Sequence, residues 1–111
     1  MSKKKITVKP VSREEMECRI VFAVLMDSDI YKENSEFFKN YCFKNEFFGA
    51  LAKTIDELYS DNNYDSTAVE ERFGQKYGIK KWKMKSVFSR GFEMVKSFNA
   101  VKRYIKTLSK A

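Results

Sequence analysis

Hydrophobic side chains recur at helical spacing along most of this chain. The clearest stretch covers residues 44–59, where the apolar positions fall within about 120° of a helical circumference and charged residues take the opposite side. These apolar positions are Phe47, Phe48, Leu51, Ile55, Leu58 and Tyr59. The pattern predicts an amphipathic helix whose apolar face packs into a core.

An earlier segment closes with residues 20–26, all of which are hydrophobic, so a helix there would be apolar on every side. A short run of this kind also fits a strand. Ser12 and Glu15 have the spacing of a capping box, which favours a helix from about Arg13 to Met26 at the centre of a bundle. Residues 1–11 are predicted to form a basic, flexible arm.

Asp27 and Asp29 interrupt the hydrophobic pattern. Paired carboxylates could hold Mg²⁺, but nothing else here would complete octahedral coordination. Helix N-caps are the commoner use of such residues. We therefore predict that this segment caps a second helix running to about Lys39.

Polar residues 60–65 have turn chemistry and separate the helix at 44–59 from a fourth helix. Asp65 or Ser66 is predicted to cap that helix, with Thr67 and Glu70 as an alternative capping box. The residues predicted to point inward are Ala68, Val69 and Phe73.

After Gly74 and Gly78, which bracket the end of the fourth helix, the pattern is harder to divide. A short fifth helix is predicted around Trp82, with Gly91 as a candidate interruption, and a last helix from Phe92 onward. The apolar sector of the last helix comprises Met94, Phe98, Val101, Tyr104, Ile105 and Leu108. The prediction is an all-α, single-domain, compact orthogonal bundle of five to six helices.

The composition supports a folded domain. A hydrophobic content of 43% and an aromatic content of 15% argue against disorder. Cys18 and Cys42 lack zinc-type spacing and the chain has no His, so we expect two buried, reduced thiols and no metal. The longest apolar run has seven residues, against the roughly 20 of a membrane span, and no signal-peptide core is present. We expect a cytoplasmic protein without membrane contact.

Catalytic motifs are missing from the sequence. Without His there is no His-based nucleophile pair, and the spacing of Gly74 and Gly78 is not that of a phosphate-binding loop. No G-x-G-x-x-G or paired C-x-x-C occurs. We therefore expect no enzyme and no cofactor.

Charge is unevenly distributed along the chain. Residues 1–13 carry five bases and no acid, residues 14–75 carry six bases and fourteen acids, and residues 76–111 carry eleven bases and one acid. This asymmetry favours an acidic partner, a nucleic acid, or a homo-oligomer that pairs unlike faces. The candidate contacts are Lys76, Lys80, Lys81, Trp82, Lys83, Lys85, Arg90, Lys96, Lys102, Arg103, Lys106 and Lys110.

Two interpretations of these residues remain open. Lys and Arg at this density can neutralise several phosphates, and Trp82 among the lysines could stack on a base. Alternatively, the lysines only solvate the outer faces of amphipathic helices, and Trp82 belongs to the core.

Several short phrases, taken in chain order, resemble the N-terminal head domain of DnaB-type replicative helicases over about residues 10–108. They are Pro10 with the acids Glu14, Glu15 and Glu17; A-V-L-M-D-S-D at 23–29; I-D-E-L-Y at 55–59; Asp65 with T-A-V at 67–69; and N-A at 99–100 with Y-I at 104–105. The chain departs from the family at Cys42-Phe43 and Phe47-Phe48, and has Lys80-Lys81-Trp82-Lys83 near the place of a Gly-Gly-x-x-Tyr-Leu phrase.

The resemblance implies an α-helical head that self-associates and docks with primase or a helicase loader. Without the ATPase motor no helicase activity is expected, and a free-standing copy would suit a phage or mobile element, or an excised domain. The helicase-binding domain of primase has a similar fold. The leading hypothesis is a replication-associated interaction module that docks with a replicative helicase, its loader or primase. A small basic DNA- or RNA-binding protein is the alternative, and a structural or inhibitory homo-oligomer is the third hypothesis.

Overall fold

A computed structural model describes residues 11–61 and 65–110 of the chain. Every regular element within these two stretches is an α-helix, which confirms the all-α prediction. In chain order the helices are α1 (Arg13–Met26), α2 (Ser28–Glu33), α3 (Ser35–Asn40), α4 (Glu46–Ser60), α5 (Ser66–Tyr77), α6 (Lys81–Met94) and α7 (Phe98–Ser109). The predicted arm lies almost entirely outside the described residues, as does the middle of the turn at 60–65.

Helix α1 lies at the centre of the molecule, as its all-round hydrophobicity predicts. It contacts α2, α4, α6 and α7. Its residues from Ile20 to Val24 are at most 1% exposed, and Leu25 is 7% exposed. Met26, which ends the apolar run, is instead 51% exposed, so burial stops one residue before the helix does.

The predicted second helix is divided in two at Asn34. This residue has φ −131° and ψ 30°, outside the helical region, and its side-chain amide donates to the Ile30 carbonyl at 2.9 Å. Asn side chains compete with the backbone in this way, which disfavours them inside helices. The described residues therefore form seven helices instead of the expected five to six.

Side-chain caps fix several helix starts at the predicted places. Ser12, Asp27 and Asp65 each accept a hydrogen bond from an amide two or three residues further on. Asp27 is thus a cap, and Asp65 takes the role for which Ser66 was the alternative. The capping box at the first helix is only half formed, because the carboxylate of Glu15 pairs with a guanidinium one turn later.

Gly91 does not interrupt α6, which continues to Met94. A Cβ atom at this position would lie 2.3 Å from the Phe22 ring, so the glycine allows α6 to approach α1 closely. The Phe22 ring packs edge-on against Phe88 and Phe92, with centroids 5.4 and 5.6 Å away. Because Phe92 and Met94 belong to α6, the predicted start of the last helix was too early.

A glycine turn joins α5 to α6 and sets where α6 begins. Gly78 adopts the left-handed conformation with φ 66°, and the next amide, that of Ile79, donates to the Gly74 carbonyl at 2.9 Å. This is a common way for a helix to end. Since α5 packs on α4 and on α6, the turn brings the first residues of α6 to Phe47 on α4.

A buried carboxylate ties α1 to the segment that leads into α4. Glu17 is 0% exposed and accepts hydrogen bonds from the amides of Lys44 and Asn45, at 2.8 and 3.0 Å. The Tyr41 hydroxyl donates to it at 2.6 Å, and the Arg13 guanidinium lies 3.5 Å away. The network fixes the entry to α4, whose N-cap is Asn45.

Candidate nucleic-acid interface

Trp82 stands in the first turn of α6 and is 68% exposed, the most exposed large hydrophobic residue of the described chain. The alternative interpretation, in which Trp82 belongs to the core, is therefore wrong. The buried side of the helix is formed by Met84, Phe88 and Gly91, and Trp82 lies on a different side.

Five exposed cations lie at the N-cap of α6 and along this helix, three of them next to or within two residues of Trp82 in both directions. We define the α6 surface as Lys80, Lys81, Trp82, Lys83, Lys85 and Arg90. Within the described residues, none of these five cations has a carboxylate within 4.0 Å. The first turn of α6 holds no acid, and its N-cap, Lys80, makes no side-chain capping bond. The helix dipole places a partial positive charge at the N-terminus of a helix, and the lysines add to it. This end of α6 is therefore strongly positive.

A groove of about 380 Å³, here called the Trp82 groove, runs beside the first turns of α6. Its apolar lining comes from Phe47, Ile79, Met84 and Val87, and its remaining lining residues include Lys80, Trp82 and Lys83. Phe47 was assigned to the core from its helical phase, but it is only partly buried. An apolar floor beside an aromatic ring and cations can hold a flat, uncharged ring attached to an anionic chain.

The cations of the α6 surface are not equivalent. Lys80 and Lys81 also line a second hollow, of about 410 Å³, whose other side includes Glu70 and Glu71. These carboxylates weaken the positive potential there. Lys83, Lys85 and Arg90 do not line this second hollow, and so they offer the better path for an anion.

The other predicted contacts lie apart from α6. Lys76, on α5, is 4.0 Å from Glu57 and 5.7 Å from the centre of the Tyr77 ring, an exposed and therefore weak pair. Lys96 lies between α6 and α7, and α7 packs against α1. The exposed basic residues of α7 and its C-cap are Lys102, Arg103, Lys106 and Lys110.

Helix α7 has the buried face that its pattern predicts, with one exception. Val101, Ile105 and Leu108 are buried. Phe98, predicted to point inward, is 39% exposed at the start of the helix. Tyr104 is partly buried and accepts a hydrogen bond from the Arg19 guanidinium at 2.9 Å. The α7 cations therefore belong to the solvated side of an amphipathic helix.

A larger hollow, of about 820 Å³, lies beside α3 and the end of α7. Its lining includes Glu33 and Glu36, which repel an anionic ligand. Its strongest donors are already used: the Arg13 guanidinium donates to the Tyr41 hydroxyl at 2.6 Å and to the Cys42 carbonyl at 3.1 Å. This hollow is a poor match for nucleic acid.

The two cysteines have different surroundings, contrary to the expectation that both are buried. Cys18 is 9% exposed, and burial raises the pKa of its thiol to about 11, so the thiol stays protonated at neutral pH. Cys42 is exposed, and both are free. Within the described residues, no group of three or more Cys, Asp or Glu side chains is placed to hold a metal ion.

No helix in the described stretches has both the length and the hydrophobicity needed to cross a membrane. Comparison of the chain with protein-family models, with curated proteins and with solved structures found no match.

Proposed function

We propose that this chain acts by binding and not by catalysis, and that its α6 surface contacts nucleic acid. The observation that supports this function best is the exposure of Trp82 among cations that have no carboxylate partner within the described residues. Leaving a large hydrophobic side chain in water forgoes roughly 1.5–3 kcal/mol of burial free energy. Clustered lysines at a helix N-terminus add a further cost.

A nucleic acid relieves both costs at once. Its phosphates neutralise the cations and release the counterions condensed on the strand, and its bases offer flat rings that stack on indole. An uncharged ligand would leave the cations unpaired, and a small anion would leave Trp82 in water. The combination of the two features therefore points to nucleic acid.

Titration of a fluorescently labelled oligonucleotide with the protein, at two salt concentrations, tests this function. We expect binding that weakens with salt, with log affinity falling by about 0.7 per log unit of salt for each phosphate neutralised on a single strand. Undetectable binding of every oligonucleotide at low salt would rule the function out.

Docking with a replicative helicase, its loader or primase is the second candidate. It is supported by the ordered phrases that resemble the helicase head domain and by the all-helical fold. Self-association, orthogonal helix packing and a cytoplasmic location are parts of this proposal. Size-exclusion chromatography of the protein mixed with each candidate partner is the test, and three unshifted elution profiles at micromolar concentration would remove it.

A further inference from the structure

We infer that the Trp82 groove accepts an unstacked base, so that the α6 surface binds single-stranded in preference to double-stranded nucleic acid. This inference rests on the proposed function and narrows its ligand. It depends on three features of the described residues: the tilt of the Trp82 side chain towards the groove, the apolar lining of the groove, and the spacing of Lys83 and Arg90 along α6.

Trp82 leans towards the groove because of its place on the helix. Side chains on an α-helix tilt towards the N-terminus and cover the preceding turn. For Trp82 the preceding residues are those of the turn at Gly78 and Ile79, and both line the groove. Trp82 itself lines the groove and is 68% exposed, and its indole makes no ring contact with the described residues, so its face is open to stacking.

The floor of the groove suits the face of a base. The partly buried Ile79 and Val87 present apolar atoms, Met84 lines the groove with almost no exposure, and the volume falls in the range of roughly 300–1,000 Å³ found for small-ligand sites. Phe47 forms part of the wall, and its ring is held edge-on to Phe73 with centroids 5.2 Å apart. A base entering the groove would replace water with apolar contacts. The Phe47 ring that it meets is already held in place by packing on Phe73.

Cations flank this floor at a spacing that lets one strand reach both. Val87 lies four residues after Lys83 and three before Arg90, so the three form neighbouring positions on one side of α6. Lys83 and Arg90 are exposed. A backbone that runs along α6 can contact both cations while a base between them turns towards Val87.

Only a strand with accessible bases can use this arrangement. In a duplex the bases are stacked and paired, so the surface can contact phosphates but neither stack on Trp82 nor fill the groove. The duplex therefore retains the electrostatic part of binding and loses the stacking part.

The sole tryptophan of the chain provides a direct readout. We propose titrating the intact protein with a short oligothymidylate, with the same strand made abasic, and with a duplex of equal length, following Trp82 fluorescence and anisotropy. We expect the oligothymidylate to bind tightest and to quench the tryptophan, while the abasic strand and the duplex bind more weakly without comparable quenching.

Variants separate stacking from charge. Trp82→Ala should weaken oligothymidylate binding roughly 5- to 150-fold, the equivalent of one base stack, and leave duplex binding nearly unchanged. Trp82→Phe should restore part of the loss. Val87→Gln places a polar group in the groove and should weaken single-strand binding. Ser86→Gln is its matched control, because Ser86 is exposed on the same helix and lies outside the groove.

The outcomes distinguish the base-binding inference from the proposed nucleic-acid binding. Equal binding of the three nucleic acids, or an unchanged affinity in Trp82→Ala, overturns the base-binding inference and leaves nucleic-acid binding standing. Displacement of the labelled oligothymidylate by polyglutamate of matched charge as effectively as by unlabelled oligothymidylate also overturns it, because the surface would then recognise acidic chains in general. If no nucleic acid binds, both proposals fail.

Discussion

Glu17 is the residue on which the polar interior depends most. A carboxylate with no solvent exposure is stable only if neighbouring groups replace the water around it. Here two backbone amides, the Tyr41 hydroxyl and a nearby guanidinium do so. Removing the carboxylate would leave these partly buried donors without their acceptor.

We predict that Glu17→Ala lowers the free energy of unfolding by about 3–5 kcal/mol, the cost of breaking a buried charged network. Glu17→Gln should cost less, about 1–3 kcal/mol, because the amide oxygen still accepts from part of this donor set. Glu14→Gln is the control: its carboxylate also bonds Asn45, at 2.8 Å, but at an exposed position, where changes are usually within about 0.5 kcal/mol. Denaturant unfolding measures all three. Equal stability of Glu17→Ala and Glu14→Gln would contradict the prediction.

The two cysteines give a prediction about thiol reactivity that can be tested on the protein alone. Cys42 is exposed, whereas Cys18 is buried with its pKa raised to about 11 by burial, so few Cys18 thiolates exist at neutral pH. A chromogenic disulfide reagent should react rapidly with one thiol of the native protein and with both in denaturant. Cys42→Ser should abolish the rapid phase. A rapid phase that persists in this variant would mean that Cys18 is accessible.

Among the helices, the contact between α1 and α6 tolerates least change. Gly91→Ala should destabilise the protein by about 1–3 kcal/mol, because the new methyl group meets the Phe22 ring at 2.3 Å, although alanine is the better helix former. Thermal or denaturant unfolding measures the loss. Gly74→Ala is the milder comparison: its Cβ would lie 3.1 Å from a Met84 side-chain carbon and 3.3 Å from the Ile79 carbonyl oxygen, so shifts of a few tenths of an ångström suffice. A loss in Gly91→Ala no larger than that in Gly74→Ala would contradict the prediction.

The same clash can be relieved from the other side. Phe22→Leu removes the ring atoms that the methyl group would meet, so Gly91→Ala should cost less in that background than in the parent. Additive losses in the double variant would show that the glycine is needed for another reason.

Helix starts and apolar faces were largely predictable from the sequence, because caps and stripes depend on residues a few positions apart. Asp27 and Asp65 cap where expected, and the α4 face is buried at Leu51 and Ile55. The division at Asn34 and the continuity of α6 through Gly91 were not predicted. Both depend on where the chain packs: a glycine that breaks an isolated helix is required where two helices touch.

The candidate site was predictable in part. The spacing of Met84, Phe88 and Phe92 marks the inner side of α6 and leaves Trp82 off it, so a helical projection confined to α6 would have found the exposed tryptophan. The groove had no such signal. Its wall includes Phe47 from α4, whose own pattern predicts a core residue, and only the tertiary packing brings it to α6.

The phrases that resemble the helicase head domain fall at positions that packing and capping explain. Asp27 and Asp65 are N-caps, and Ile55, Leu58 and Tyr59 are buried. Residues in these roles specify where helices begin and which side faces inward. Their resemblance bears on the fold more directly than on a partner, which is why docking with a helicase is the second candidate and the exposed α6 surface carries the first.

Over the whole molecule, the bases of the C-terminal third fall mainly on two helices that both pack against α1. The α6 set stands beside an apolar groove and an exposed tryptophan, whereas the α7 set covers the outer side of an amphipathic helix. If net charge alone governed binding, the two sets would be interchangeable. If the groove orients the strand, they would not.

We therefore predict that reversing charges on α6 and on α7 has unequal effects. Lys83→Glu with Arg90→Glu should lower single-strand affinity strongly and reduce the salt slope by about 0.7 for each phosphate that is no longer neutralised. Lys102→Glu with Lys106→Glu makes the same change in net charge and should have a smaller effect on both quantities. All four residues are exposed, so both variants should keep the parent's melting temperature. Anisotropy titrations over a range of salt give affinity and slope together, and equal decreases in the two variants would assign binding to overall charge.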